Sequence, residues 1–222
     1  MVDLVLVAAS GLAREVLSIA KPRFADIEIV DDDASRWGHV LHEVPVTGGL
    51  DRVAQLTDAR VLVCAGHGNA RRSLVRRLRG LGVAEERYLT LVHPSVEVPE
   101  TCAVGGGSIL LAHAVLTADV TLGRHVVVMP NATFTHDDVI DDYATICAGV
   151  SLGGGVRIGE AAYLGMNAVV REGLRVGREA TLGMGGVLLE SLPESETWAG
   201  VPAGALVGHR NRTTARPAEA AS

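Results

Sequence analysis

A small α/β domain followed by a parallel β-helix is the fold class the sequence predicts, on three observations. The N-terminal stretch alternates short apolar runs with helically spaced ones, and from Val92 to Leu188 a large apolar residue returns at every sixth position. The composition is 48% hydrophobic with 26 glycines but only 3% aromatic residues, which suits thin, closely spaced layers of Val, Leu, Ala and Ile. At 222 residues the chain can bury a sizeable core and divide into two domains.

The α/β part is predicted over residues 1–90. An apolar run from Leu4 to Ala8 meets a turn of small residues, Ala9, Ser10 and Gly11, and then a helical pattern through Val16, Ile19 and Ala20. A second run, Ile27 to Val30, ends at Asp31, Asp32 and Asp33. A third, Val61 to Ala65, ends at Gly66, His67 and Gly68 before an arginine-rich helix around Arg71 to Arg79. Strands alternating with helices at this spacing predict a small Rossmann-like parallel sheet.

The β-helix is predicted over 91–207. Every sixth residue from Val92 through Val98, Val104 and Leu110 to Leu188 is Val, Ile, Leu or Phe, and four residues after most of these stands a small or apolar one such as Ala114, Val120 or Ala132. Two inward positions per six residues give one flat face and one corner, and three faces close a coil of 18 residues. Glycine follows the large residue at Gly105, Gly123, Gly153, Gly159, Gly165, Gly177 and Gly183, where a corner is expected to demand an unusual backbone conformation. Residues 208–222 show no periodicity and read as a mobile tail.

Charge and cysteines narrow the function classes. Net charge is −6 and Lys21 is the sole lysine, which argues against a nucleic-acid partner. Cys64, Cys102 and Cys147 are odd in number and widely spaced, which argues against a disulfide framework or a structural metal and for a cytoplasmic protein. The apolar start follows Asp3, lacks a basic flank and is too short for a membrane span.

The repeat, an aliphatic residue, then a small one, two variable positions and another small one, resembles the hexapeptide-repeat acyltransferases, which implies a left-handed coil. The segment Ala132 to Asp141 with His136 and Asp137, the closing loop Trp198 to Ala203, and the N-terminal features Gly11, Arg14, Asp31, Asp32, Val44 to Gly48 and Gly68 to Arg72 resemble the sialic-acid O-acetyltransferase and bacillosamine-type sugar N-acetyltransferase family. That resemblance implies an acetyl-CoA-dependent N- or O-acyltransferase acting on a sugar nucleotide. It also implies a homotrimer with active sites between subunits. The sequence itself shows no metal-ligand spacing, so no metal is expected.

The resemblance assigns His136 as general base and Asp137 as the acid that tunes it. Independently, His136 lies at a corner, two residues past Phe134, with Gly154 of the run Gly153, Gly154, Gly155 one coil further on. That leaves room for a thioester and an amide for a developing oxyanion. Acetyl-CoA is expected along Gly153 to Gly155 toward Gly200, Pro202 and Ala203. The acceptor is expected near Ser10, Gly11, Asp31, Asp32, Arg71 and His113. His93 reads as an entry to the coil, His125 as a turn residue and alternative pocket residue, and Cys147 as packing.

The sequence departs from the family's pattern in three places. The first turn has Ala8, Ala9 and Ser10 where glycines usually cradle phosphate, Thr145 stands where some members carry a second histidine, and Gly204 replaces a basic residue. Two other readings stay open: an acyltransferase whose acceptor carries no nucleotide, and a non-catalytic scaffold or small-molecule sensor.

Overall fold

The computed structural model describes residues 2–206, so the expected tail lies outside the described residues. Strand β1 (Leu4–Val7) is buried on both faces, as a continuous apolar run requires in a covered sheet. Helix α1 (Gly11–Ala20) starts where Ser10 accepts a hydrogen bond from the Ala13 N–H. There follow β2 (Ile27–Val30), β3 (Val40–Leu41), β4 (Val44–Gly48), α2 (Asp51–Gln55), β5 (Arg60–Val63) and α3 (Gly68–Gly80). The sheet order is β3-β4-β2-β1-β5, all parallel except the β3–β4 pairing. The chain moves outward from β1 through β2 to β4 and then returns to the other side of β1. The crevice beyond the strand ends therefore opens at β1 and β5, between Ser10 and His67.

From Leu91 to Leu188, two-residue strands stack into three parallel sheets, with neighbouring strands 18 residues apart, as Thr121 with Val139 and Val127 with Thr145. The eight-stranded sheet closes with Thr197–Ala199, paired with Thr181–Leu182 at a spacing of 16, and the antiparallel Gly204–Ala205. The sixfold apolar positions from Leu110 to Leu188 are buried and form one continuous core. Val98 departs from the expected pattern and is exposed, because residues 93–102 form no ladder. Pro94 and Pro99 lack the amides a ladder needs there.

The glycines after the large residues also differ from expectation. The left-handed conformation falls instead two positions later, at every sixth residue from Gly107 to Gly185. Those positions carry His113, Asp119, His125, Asn131, Asp137, Tyr143, Ala161, Asn167 and Glu179 as well as glycine. Gly153, Gly159 and Gly165 serve close approach. A Cβ on Gly159 would stand 2.6 Å from the Arg178 nitrogen of the next coil, and one on Gly165 2.5 Å from that of Met184.

The α/β unit sits on the outer side of the eight-stranded sheet. Ile109, Leu111 and Val127 point out of the prism and join a core with Leu6, Leu62 and Leu91. Beside them Arg71, expected to meet substrate, is fully buried. Its guanidinium donates to the carbonyls of Ala65 and Gly66 at the end of β5, of His125, Tyr143 and Ala144 in the prism, and to the Thr145 hydroxyl. Burial pulls its pKa down, yet six oxygen acceptors hold it charged. Thr145 in turn donates to the Gly66 carbonyl. Arg71 is thus a rivet between the two units, with no donor left for a ligand. Next to it the buried His125 ring stacks on Tyr143 at 5.2 Å and meets Tyr88 edge-on at 4.7 Å. Burial holds its pKa down near 4, so it is neutral at pH 7.

Two stability measurements follow. Gly159→Ala should lower the melting temperature more than Gly173→Ala. Gly173 has φ +71° but open space, so Ala there costs about 1 kcal/mol; Ala at Gly159 forces backbone apart, costing roughly 1–3 kcal/mol or more. Equal losses would mean that conformation and not close approach governs both columns. Arg71→Ala takes the guanidinium donor from the carbonyls of Ala65, His125 and Tyr143 and opens a cavity at the junction, so it should cost about 3 kcal/mol or more in chemical denaturation.

Candidate active site at a corner of the prism

His136 and Asp137 form the corner between the strands Thr133–Phe134 and Val139–Ile140. Asp137 occupies the left-handed position, φ +64°, which Asp tolerates better than most residues. That backbone turns its carboxylate onto the ring of its neighbour: His136 Nδ1 lies 2.7 Å from Asp137 Oδ2. Both side chains are about two-thirds exposed. The hydrogen bond to Asp137 raises the His136 pKa above the ordinary histidine value. With Nδ1–H directed to the carboxylate, Nε2 carries the free lone pair.

Nε2 faces Gly154. A Cβ placed on Gly154 would stand 2.5 Å from His136 Cε1 and from Nε2, so the ring lies over this residue. The Gly155 N–H donates to the His136 carbonyl and the Gly153 N–H to Val170. Among the described residues the Gly154 N–H has no protein acceptor, leaving one amide beside Nε2. Gly155, φ +69°, borders open space. Further along the same face, Val187 exchanges hydrogen bonds with the closing loop, donating to the Gly200 carbonyl and accepting from the Ala203 N–H. Ala203 is buried against the core while Gly200, Val201 and Pro202 are exposed.

The remaining expected residues lie apart from this corner. The Ser10 hydroxyl donates to the Cys64 carbonyl, and Gly11 opens α1. Asp31 Oδ2 accepts from the Ala9 N–H at 2.7 Å and Oδ1 from the Asp33 N–H, while Asp32 is ion-paired with Arg77. His113 sits at another corner, with its ring 6.4 Å from that of His93, and is not brought to His136. His125 is buried between Tyr88 and Tyr143, away from His136. Cys147 is buried, and burial raises its thiol pKa, as suits packing. Among the described residues no cluster of three or more His, Cys, Asp or Glu is placed to hold a metal. No described helix is long and apolar enough to cross a membrane.

No family model matches the chain. Over 84 residues it is 32% identical to the GDP-perosamine N-acetyltransferase of Escherichia coli O157:H7, a match spanning 38% of each protein. Among solved structures it is similar to a histidine-to-asparagine mutant of perosamine N-acetyltransferase from Caulobacter crescentus in complex with CoA and GDP-perosamine. The TM-score is 0.84 and the identity 28%, over 92% of this chain and 96% of that one. The acetyltransferase domain of PglB from Neisseria gonorrhoeae, in complex with acetyl coenzyme A, aligns with TM-score 0.83 and 30% identity over 92% of this chain and 98% of that domain. The chain belongs to the bacillosamine-type sugar acetyltransferase family. Its repeating parallel sheets match the left-handed β-helix of these acetyltransferases.

Two residues that the structure marks out, Thr145 and Asp138, escaped the sequence reading. Thr145, noted only as a missing histidine, bonds Arg71 at the domain junction. Asp138, next to Asp137, is fully buried, and burial pushes its pKa up to about 6 against the pull of two backbone amides. Its signal was a carboxylate in the inward column that otherwise holds small or apolar residues.

The His136 assignment makes a spectroscopic prediction. In an NMR titration the His136 ring should show a pKa above the ordinary histidine value, and Asp137→Asn should bring it back down. An unshifted wild-type ring would mean that the contact with Asp137 does not persist in solution.

Proposed function

We propose that the chain transfers an acetyl group from acetyl-CoA to the amino group of a nucleotide-linked sugar. The observation that carries this reading is the His136 corner: a carboxylate on Nδ1, a free Nε2 over Gly154, and an uncommitted amide beside it. His136 Nε2 takes a proton from the acceptor nitrogen as that nitrogen bonds to the thioester carbonyl carbon. The Gly154 N–H steadies the oxyanion that forms. The carbon–sulfur bond then breaks, and the His136 imidazolium protonates the departing thiolate. Acetyl-CoA extends past Gly153 to Gly155 toward Gly200, Pro202 and Ala203 on the same face of the prism. That the solved relatives hold CoA, acetyl-CoA and GDP-perosamine supports donor and acceptor classes alike.

In this reading residues 1–90 are a Rossmann-like unit that holds the nucleotide at the β1 and β5 strand ends near Ser10, Gly11 and Asp31, and residues 91–207 are the catalytic prism. The corner is exposed in a single chain, so a complete site requires a neighbour. The exposed Met166, Val169, Met184 and Val201 offer apolar surface for one. We place the sites between subunits of a cytoplasmic homotrimer.

One observation favours a second reading, an acceptor without a nucleotide. The Ala9 N–H is taken by Asp31 and the Ser10 N–H by the Ala8 carbonyl, so this first turn offers a diphosphate fewer free amides than a glycine-rich cradle.

One assay separates these readings: release of CoA thiol from acetyl-CoA with GDP- and UDP-linked amino sugars beside the free sugars. His136→Ala should lower turnover by roughly 10² to 10⁴, while calorimetry shows acetyl-CoA still bound. Full activity in that variant would end the mechanism, and turnover of free sugars alone would favour the second reading.

A further inference from the structure

We propose that Asp138 is a positioning residue for acyl transfer: its carboxylate joins the coil of His136 to the coil of Gly154 and so sets the imidazole against the uncommitted amide. The inference rests on the acyl-transfer reading of His136.

Asp138 is fully buried, four residues after Phe134, in the inward column where Ala132, Ala144, Val150, Val156 and Ala162 also point. A buried carboxylate costs several kcal/mol unless hydrogen-bonded. Here it takes two backbone amides. Oδ2 accepts from the Thr135 N–H at 3.0 Å and Oδ1 from the Val156 N–H at 2.8 Å. Thr135 directly precedes His136, and Val156 follows Gly154 by two residues. The carboxylate thus grips both halves of the pair whose spacing decides the chemistry.

The ladder at this place is altered to match. Elsewhere the residue after the large apolar one donates its N–H to the next coil, as Thr117 does to the Phe134 carbonyl and Gly153 to Val170. Thr135 gives its N–H to Asp138 instead, and its hydroxyl donates to the Leu152 carbonyl. The strand Thr133–Phe134 accordingly pairs with Ser151–Leu152 through Thr133 alone, whereas its other neighbour, Val115–Leu116, pairs at both residues. Asp138 has replaced a rung of the ladder immediately before the catalytic histidine.

Its charge acts in the same direction. Asp138 joins Asp137 on its own coil and Asp119 on the preceding coil in favouring protonated His136. On the far side, the Glu172 backbone packs against Gly153. Protonating Asp138 would remove both the charge and one amide acceptor.

Ser108 supplies a variant that the fold accommodates. It occupies the same inward column, where its hydroxyl accepts from the Val126 N–H at 3.0 Å and donates to the Gly123 carbonyl at 2.9 Å. Asp138→Ser should therefore keep the bond to Val156 and release Thr135 to the ordinary ladder. We expect it to fold with a near wild-type melting temperature, to lose tenfold or more in kcat at unchanged KM for acetyl-CoA, and to shift the acid limb of kcat to lower pH. Asp138→Asn should show the same limb shift with a smaller loss. Wild-type kcat and an unmoved limb in Asp138→Ser would overturn the proposal. So would a kcat loss accompanied by a raised KM and a proportionately lowered melting temperature, the mark of general damage. If His136→Ala is inactive while Asp138→Ser is fully active, only the positioning role fails; if His136→Ala is active, the underlying reading fails first.

Discussion

Successive coils of the prism stack at strand spacing, about 4.8 Å, and one residue in six turns through the left-handed region to keep them in register. Almost everything else in this half of the molecule depends on that stacking. Side chains in one column meet their own repeats: inside the prism large residues stack on large ones, as Leu110, Val128 and Ile146 do, whereas at the outer corner the His136 ring takes the space that a side chain on Gly154 would need. Gly159 and Gly165 are required because the backbone of the next coil occupies the space a Cβ would need. The site is a vertical feature of a repeat, built from residues 18 apart and not from a loop.

Departures from the repeat mark where the prism does something besides stack. Polar groups enter otherwise apolar environments at Asp138, Thr145, Arg71 and His125. Three of these, Arg71, Thr145 and His125, gather at the junction with the α/β unit, and Asp138 sits behind the corner of His136. The first two and the carboxylate are satisfied by hydrogen bonds, whereas both ring nitrogens of His125 lack a partner among the described residues. Its pKa is held below the unfolded value, so the unfolded chain binds more protons between about pH 4 and 6.5. Stability from this group is present above that window and declines as pH falls through it.

The periodic parts of the molecule could be read from the chain because period-six burial writes itself onto every residue it governs. Leu110 to Leu188 and the corner of His136 needed no structure to locate. What could not be read was which glycine does what, since close approach depends on the neighbouring coil and conformation on the residue's own backbone; Gly153 and Gly155, two residues apart, divide these tasks. Arg71 was misread because an arginine in an exposed-looking helical pattern gives no sign of the carbonyls that converge on it from residues more than fifty positions away. Asp138 was overlooked because the sequence reading of that segment stopped at its neighbours His136 and Asp137.

The Arg71 rivet bears on how such proteins diversify. Its acceptors come from the end of β5 and from two successive coils of the prism, so the α/β unit and the prism share one joint. A chimera that grafts the first ninety residues of a relative onto this prism inherits the guanidinium from one parent and its carbonyl cage from the other. Such exchanges should succeed only between parents whose cages coincide at 125 and 143–145, which makes that short stretch of coil the compatibility code for recombination within the family.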